Sequence, residues 1–215
     1  QQLGRMTVPA TIALLRKVST PVARETKNPK PRQLHSTSWG LMCPMDTPEG
    51  SACGLTKALA LLAHIRVGTF SDTVLQQLEL RCADPAARLL RALDAPPATV
   101  RDGVPVLVNG ALVLYCVDDA ACDTLVAQLV GLRRSGGLPF DTSVAVVDRV
   151  VHVDTDPGCL LRPLLRVDAL HELPALVRDA PTPRALLDTL LERGVMEYVD
   201  KQEEAGLRVA LSPLA

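Results

Sequence analysis

The spacing of apolar residues changes several times along the chain, and each change predicts an element. Pro9 at a first-turn position, followed by Ile12, Leu14, Leu15 and Val18, predicts a short amphipathic helix ending near Thr20-Pro21. From Val22 to Trp39 the periodicity vanishes, and Pro29 and Pro31 make this an extended loop. Gly40 to Gly54 is irregular too, with Pro44, Pro48, Gly50 and Gly54 among small and polar residues, and it leads into an expected helix striped by Leu55, Leu59, Leu62 and Ile65. A second helix is expected after Ser71-Asp72, with Val74, Leu75 and Leu78, and a third after Asp84-Pro85, with Leu89, Leu90 and Leu93. Ala95-Pro96-Pro97 breaks the pattern and reads as a linker.

Beyond the linker the texture becomes β. Val104 to Val108 and Ala111 to Val117 flank Asn109-Gly110, a pair that accepts positive φ at both positions and so predicts a two-residue hairpin. Asp118 to Arg134 reads as a helix with Leu125, Val126, Leu129 and Leu132 on one face and Gly136-Gly137 as its stop. Strands follow at Ser143 to Val147, Val150 to Val153 and Leu160 to Val167. A last unit has Thr182-Pro183 as helix start, Leu186, Leu187, Leu190 and Leu191 inside, Gly194 as stop, and strands at Val195 to Val199 and Leu207 to Leu211. The fold class is α/β mixed (α+β), in three parts: 1–97, 98–168 and 169–215.

Composition narrows the chemistry. With 47% hydrophobic but only 2% aromatic residues, cores must be built from Leu, Val and Ala, and an aromatic base-stacking platform is not expected. The net charge of −1 hides an asymmetry: residues 1–64 hold 8 Lys and Arg against 3 Asp and Glu, whereas the remainder has 15 against 21. Six cysteines without a C-x-x-C pair read as reduced thiols of an intracellular protein. The apolar runs Ala58 to Ala63 and Ala111 to Val117 fall far short of the roughly 20 residues that span a bilayer, so no membrane role is expected. A start on Gln1 and an end on Ala215 read as an excerpt.

The basic excess lies on Arg16, Lys17, Arg24, Lys27, Lys30 and Arg32, opposed only by Glu25. Such a loop can meet phosphates at several spacings, or it can be a solvated basic loop. The next stretch bears on the choice. His35, Thr37, Trp39, Gly40, Cys43, Pro44, Asp46, Thr47, Pro48, Glu49, Gly50, Gly54 and Leu55 fill every fixed position of H-x-T-x-[WY]-G-x-x-C-P-x-[ED]-T-P-E-G-x-x-x-G-L. This resembles the fork region of the second-largest (β-type) subunit family of multi-subunit, DNA-directed RNA polymerases. Similarity continues at Val106 to Gly110, Leu132 to Gly136, Asp154 to Leu165 and Gly194 to Glu204. Pro31 to His35 and Ser51 to Leu55 look most like the eukaryotic polymerase II type or its large-DNA-virus relatives.

The resemblance implies an irregular fork segment with helices, followed by two small α+β external domains. It implies a nucleotidyltransferase that copies a DNA template into an RNA transcript from ribonucleoside triphosphates, alongside the largest subunit and other polymerase subunits. Localisation would be nuclear, or virion and host cell for a viral enzyme. Arg24, Lys27 and Lys30 would lie by the downstream edge of the transcription bubble. Arg32 and Gln33 would line the active-centre cavity, with Glu49 in the same layer orienting a basic neighbour. The catalytic Mg2+ would be held by the largest subunit, leaving no catalytic and no metal residue in this segment.

Other readings compete. Glu49 also suits a cap for the helix expected after Gly54, and Trp39 reads as core. His35, Cys43, Cys53 and His64 lack the paired spacing of structural zinc and are assigned to packing or solvation. Glu203-Glu204 reads as a solvated turn. The rival function is a stand-alone nucleic-acid-binding module using the basic loop alone.

Overall fold

The computed structural model describes residues 3–210. The chain divides into two compact units, residues 1–64 and residues 65–215.

In the first unit, helix α1 (Val8–Leu15) starts on Thr7, whose hydroxyl accepts from the Ala10 amide at 3.3 Å, with proline in the first turn. Strand β1 (Lys17–Ser19) pairs antiparallel with β2 (Thr56–Ala58) in the register Lys17 to Ala58. The helix expected from Leu55 to Ile65 is therefore not formed: β2, turns and the two-residue strand β3 (His64–Ile65) stand in its place. The leucine spacing fits a helix, but Gly54 has φ +73° and the Leu55 carbonyl accepts from the Thr20 amide at 2.8 Å, pulling the chain into pairing. Tertiary hydrogen bonding here overrides local periodicity.

The second unit is a layered α+β structure. Helix α2 (Asp72–Cys82) forms as expected, but the third expected helix does not. A short 3-10 turn, Pro85–Ala87, ends at Arg88 with φ +53°, and Leu89–Arg91 becomes strand β4, pairing with a strand beyond the supposed linker. That linker is itself the start of a short helix, α3 (Pro97–Asp102), with Pro96 as cap residue. Strands β5 (Val104–Val108) and β6 (Ala111–Cys116) form the hairpin, with Asn109 at φ +48° and Gly110 at φ +79°. Helix α4 (Asp119–Arg134), capped by the Asp118 carboxylate on the Ala121 amide, leads to β7 (Ser143–Val147) and β8 (Val150–Asp154). The sheet order is β4-β6-β5-β8-β7, with β5 and β8 parallel and the other neighbours antiparallel.

Strict alternation in β5 turns Val104, Val106 and Val108 inward, and β8 adds Val151 and Val153. Leu125 and Leu129 of α4 and Val74 and Leu78 of α2 complete this core. Residues 72–91 thus share a core with strands on the far side of Pro97.

Strand β9 (Leu160–Leu165) pairs antiparallel with β10 (Met196–Val199). Helices α5 (Leu173–Asp179) and α6 (Pro183–Glu192) bury a smaller cluster around Leu176, Leu190, Val195 and Met196. Thr182 caps α6 as expected, and Gly194 ends the segment at φ +62°. Residues 207–210 form no strand, and Leu211, the end of the strand expected there, lies outside the described residues.

The acidic run is not a solvated turn. Helix α7 (Lys201–Ala205) is capped by Asp200, and Glu203 is only 7% exposed. Its carboxylate takes Arg133 Nη1 at 2.8 Å and Nη2 at 2.6 Å. Glu197 accepts from Arg133 Nη2 at 3.0 Å and from Arg134 Nε and Nη2 at 3.0 and 2.9 Å. Buried Arg66 bonds the Asp141 carbonyl at 2.7 Å and the Ser143 hydroxyl, with Asp200 at 3.6 Å, while Arg162 pairs with Glu204 at 3.0 Å. Burial pulls the Arg133 guanidinium down, but Glu203 and Glu197 more than offset that and raise it. Burial pushes the Glu203 carboxyl up despite its partner; at Glu197 burial also pushes up, yet Arg134 and Arg133 prevail and hold it low. Charge spacing alone carries no mark of such burial, since the arginines come from residues 66, 133, 134 and 162.

Candidate nucleic-acid interface

The six candidate residues lie in the first unit, on a loop tied to a turn. The loop leaves β1 at Thr20, whose amide is held by the Leu55 carbonyl. Thr26 closes a tight turn onto the Ala23 carbonyl at 3.1 Å, and the Asn28 side chain accepts from the Lys30 amide at 3.1 Å. Pro29 then precedes, and Pro31 lies inside, a 3-10 turn, Lys30–Arg32. Arg24, Lys27, Lys30 and Gln33 are exposed, and their side chains make no hydrogen bond or ion pair among the described residues.

Arg32 differs. Its Nη1 donates to the carbonyls of Ser51 (2.7 Å) and Cys53 (3.0 Å), and its Nη2 to those of Arg24 (2.7 Å) and Thr26 (3.3 Å). The planar guanidinium thus joins two stretches of backbone. Across the contact, Gly54 at φ +73° has no room for a side chain: a Cβ would sit 2.3 Å from the Arg32 carbonyl oxygen. The Thr47 hydroxyl completes the turn, accepting from the Gly54 amide at 2.8 Å and donating to the Thr56 carbonyl at 3.0 Å.

Glu49 occupies the cap position of the 3-10 turn Gly50–Ala52, not of a helix at Gly54, and its side chain makes no cap bond. The exposed carboxylate sits two residues before the Ser51 carbonyl that Arg32 holds.

Two members of the basic run leave the loop. Arg16 ends α1 and donates to the Ala60 and Leu61 carbonyls at 2.5 and 3.2 Å, and Lys17 lies in β1, 3.9 Å from Asp46. Trp39, expected in the core, is 68% exposed and with Ile12, Leu34 and Leu61 lines an apolar groove. The irregular backbone around it supplies no second layer to bury the indole. His35 caps the 3-10 turn Ser36–Ser38, accepting from the Thr37 amide at 3.3 Å. The sequence marks Arg32 as cationic, but nothing in its spacing tells that it binds carbonyls. Thr47 carries a signal, a threonine before proline in a glycine-rich turn.

Such an arrangement can present three cations and one carboxylate, none of them paired among the described residues, from a backbone fixed by exposed and half-buried hydrogen bonds. Three cations on a short loop are suited to phosphate oxygens.

Comparison with known proteins bears on the family of the chain. The family model described as RNA polymerase Rpb2, domain 3, matches residues 1–65, and that described as RNA polymerase Rpb2, domain 4, matches residues 106–168. The DNA-directed RNA polymerase II subunit RPB2 of Meyerozyma guilliermondii is 34% identical over 242 residues, covering 99% of this chain and 19% of the relative. The DNA-directed RNA polymerase II subunit 2 of Arabidopsis thaliana is 33% identical over 222 residues, with 99% and 18% covered. The DNA-directed RNA polymerase subunit Rpo2 of Saccharolobus solfataricus is 32% identical over 222 residues, with 99% and 20% covered. The chain spans about a fifth of the length of these curated relatives.

Proposed function

Because the chain belongs to the family of second-largest subunits of multi-subunit DNA-directed RNA polymerases, we propose that it helps to position nucleic acid beside the active centre of such an enzyme. The whole enzyme would synthesise RNA on a DNA template from ribonucleoside triphosphates, with the largest subunit and other polymerase subunits as partners. The site of action would be the nucleus, or the virion and host cell for a viral enzyme. In chain order the segment would supply a fork part and then two external parts.

Arg24, Lys27 and Lys30 would meet phosphates at the edge of the melted duplex, and Gln33 and Glu49 would face the reaction chamber. Mg2+ would supply charge neutralisation for phosphoryl transfer. Among the described residues no group of three or more His, Cys, Asp or Glu gathers, so no step is assigned to a metal here. The observation that carries the reading is the contrast between the uncommitted cations of the loop and the clamped backbone beneath them.

Alanine at Arg24, Lys27 and Lys30 together, in the assembled polymerase, is expected to weaken binding to a forked DNA. The slope of log affinity against log salt should shrink by about 3, roughly one unit per lost phosphate contact. An unchanged slope would sink the reading.

A further inference from the structure

Five of the six candidate side chains are exposed and make no hydrogen bond or ion pair among the described residues, and the sixth spends both terminal nitrogens on main-chain oxygens. We infer that Arg32 is a positioning residue: its guanidinium staples the cationic loop to the Glu49 turn, so that Arg24, Lys27, Lys30 and Glu49 are presented as one body. The inference deepens the proposed function and rests on it only for its consequence in RNA synthesis.

Three independent contacts agree. The two ends of the loop are fixed to the same turn, Thr20 through the Leu55 carbonyl and Arg32 through the carbonyls of Ser51 and Cys53. The loop is also held along its own length, because the second nitrogen of Arg32 reaches back to Arg24 and Thr26. On the opposite side Gly54 lets the Arg32 backbone approach to a distance that no side chain tolerates, and Thr47 holds the Gly54 amide. A guanidinium has five donors in a rigid plane, and four carbonyls at 2.7 to 3.3 Å use both of its terminal nitrogens. A lysine ammonium has three donors on one atom and cannot span two backbone stretches in this way. The site therefore distinguishes arginine from lysine for a reason other than charge.

The test compares Arg32→Lys, Arg32→Ala and Gly54→Ala with Lys27→Ala as control, by hydrogen exchange of the full chain. The readout is the set of hydrogen-bonded amides of Thr26, Cys53 and Gly54. All three first variants should exchange at least about fivefold faster there, with lysine no better than alanine, while Lys27→Ala stays at the wild-type rate; amides of β5 and β8 report that the second unit is folded. In the assembled polymerase, Arg32→Lys should lower the elongation rate as much as Arg32→Ala does. If lysine keeps wild-type exchange and wild-type rate, Arg32 acts by charge and the staple is overturned. Faster exchange with an unchanged rate would leave the staple standing and overturn the nucleic-acid reading instead.

Discussion

The two units solve the problem of holding a chain in place by different means. Residues 65–215 bury valines and leucines between a five-stranded sheet and helices, and then add a lattice of arginines and carboxylates. In residues 1–64, α1 has no buried residue and Val8 and Leu15 are open to solvent; only a small set, Leu41, Leu55, Ala58, Leu59 and Ala63, is buried, and side chains that grip main-chain oxygens add to it: Arg16 on Ala60, Arg32 on four carbonyls, Thr47 on Thr56. Polar clamping costs little apolar area and leaves charged side chains free to face outward. An apolar core would leave few of them near its centre.

The sharpest way to break this contrast is Arg133→Ala. Removing the cation leaves Glu203 and Glu197 buried without their shared partner, and the second unit should lose about 4 kcal/mol, read as a fall in urea midpoint. A loss below about 1 kcal/mol would mean that the lattice is not structural.

A smaller effect separates the two acids. Glu197 is held below its usual 4.5, so its contribution is fully present above the unfolded value and is lost as pH falls through the lowered one. Glu197→Gln should therefore cost about 2 kcal/mol at pH 7 and converge with wild type in acid. Glu203 runs the other way: raised above 4.5 by burial, it binds a proton more readily folded than unfolded, and its contribution grows as pH falls through the raised value. Urea titrations of the two Gln variants between pH 3 and pH 7 should diverge in sign.

The smallest expected effect lies in the first unit. Trp39→Ala should change stability by less than about 0.5 kcal/mol, because the indole is mostly exposed and the clamps do not involve it. A loss of several kcal/mol would show that the groove beside α1 is a core after all.

Where local rules decide conformation, the sequence is a good guide. The Asn109-Gly110 hairpin, the helix expected over Asp118 to Arg134, the strand Val104 to Val108 and the Thr182-Pro183 start all appear in the structure where the residue pattern places them, within a residue or so. It fails where long-range pairing competes with period. Leu55 to Ile65 and Leu89 to Leu93 have helical spacing, yet each gives up residues to a strand, because Thr20 and Cys116 offer partners that local periodicity cannot register. The candidate interface is legible in part for the same reason. Charge and the proline-bracketed motif locate the loop and the turn, and carbonyl partners, which carry no residue identity, decide what Arg32 does.

By itself the sequence determined the family, the α+β class, the hairpin, the helix starts near Pro9, Asp72, Asp118 and Thr182, and the cationic loop, since each is written in residue identity over a short span. Tertiary structure alone decided that Glu203 of the acidic run is buried against Arg133, that Trp39 faces solvent, and that Arg32 is a bridge rather than a free charge. Those outcomes depend on which distant groups arrive within about 3 Å, and hydrogen-bond energies fall away too steeply with distance and angle for spacing along a chain to stand in for position in space.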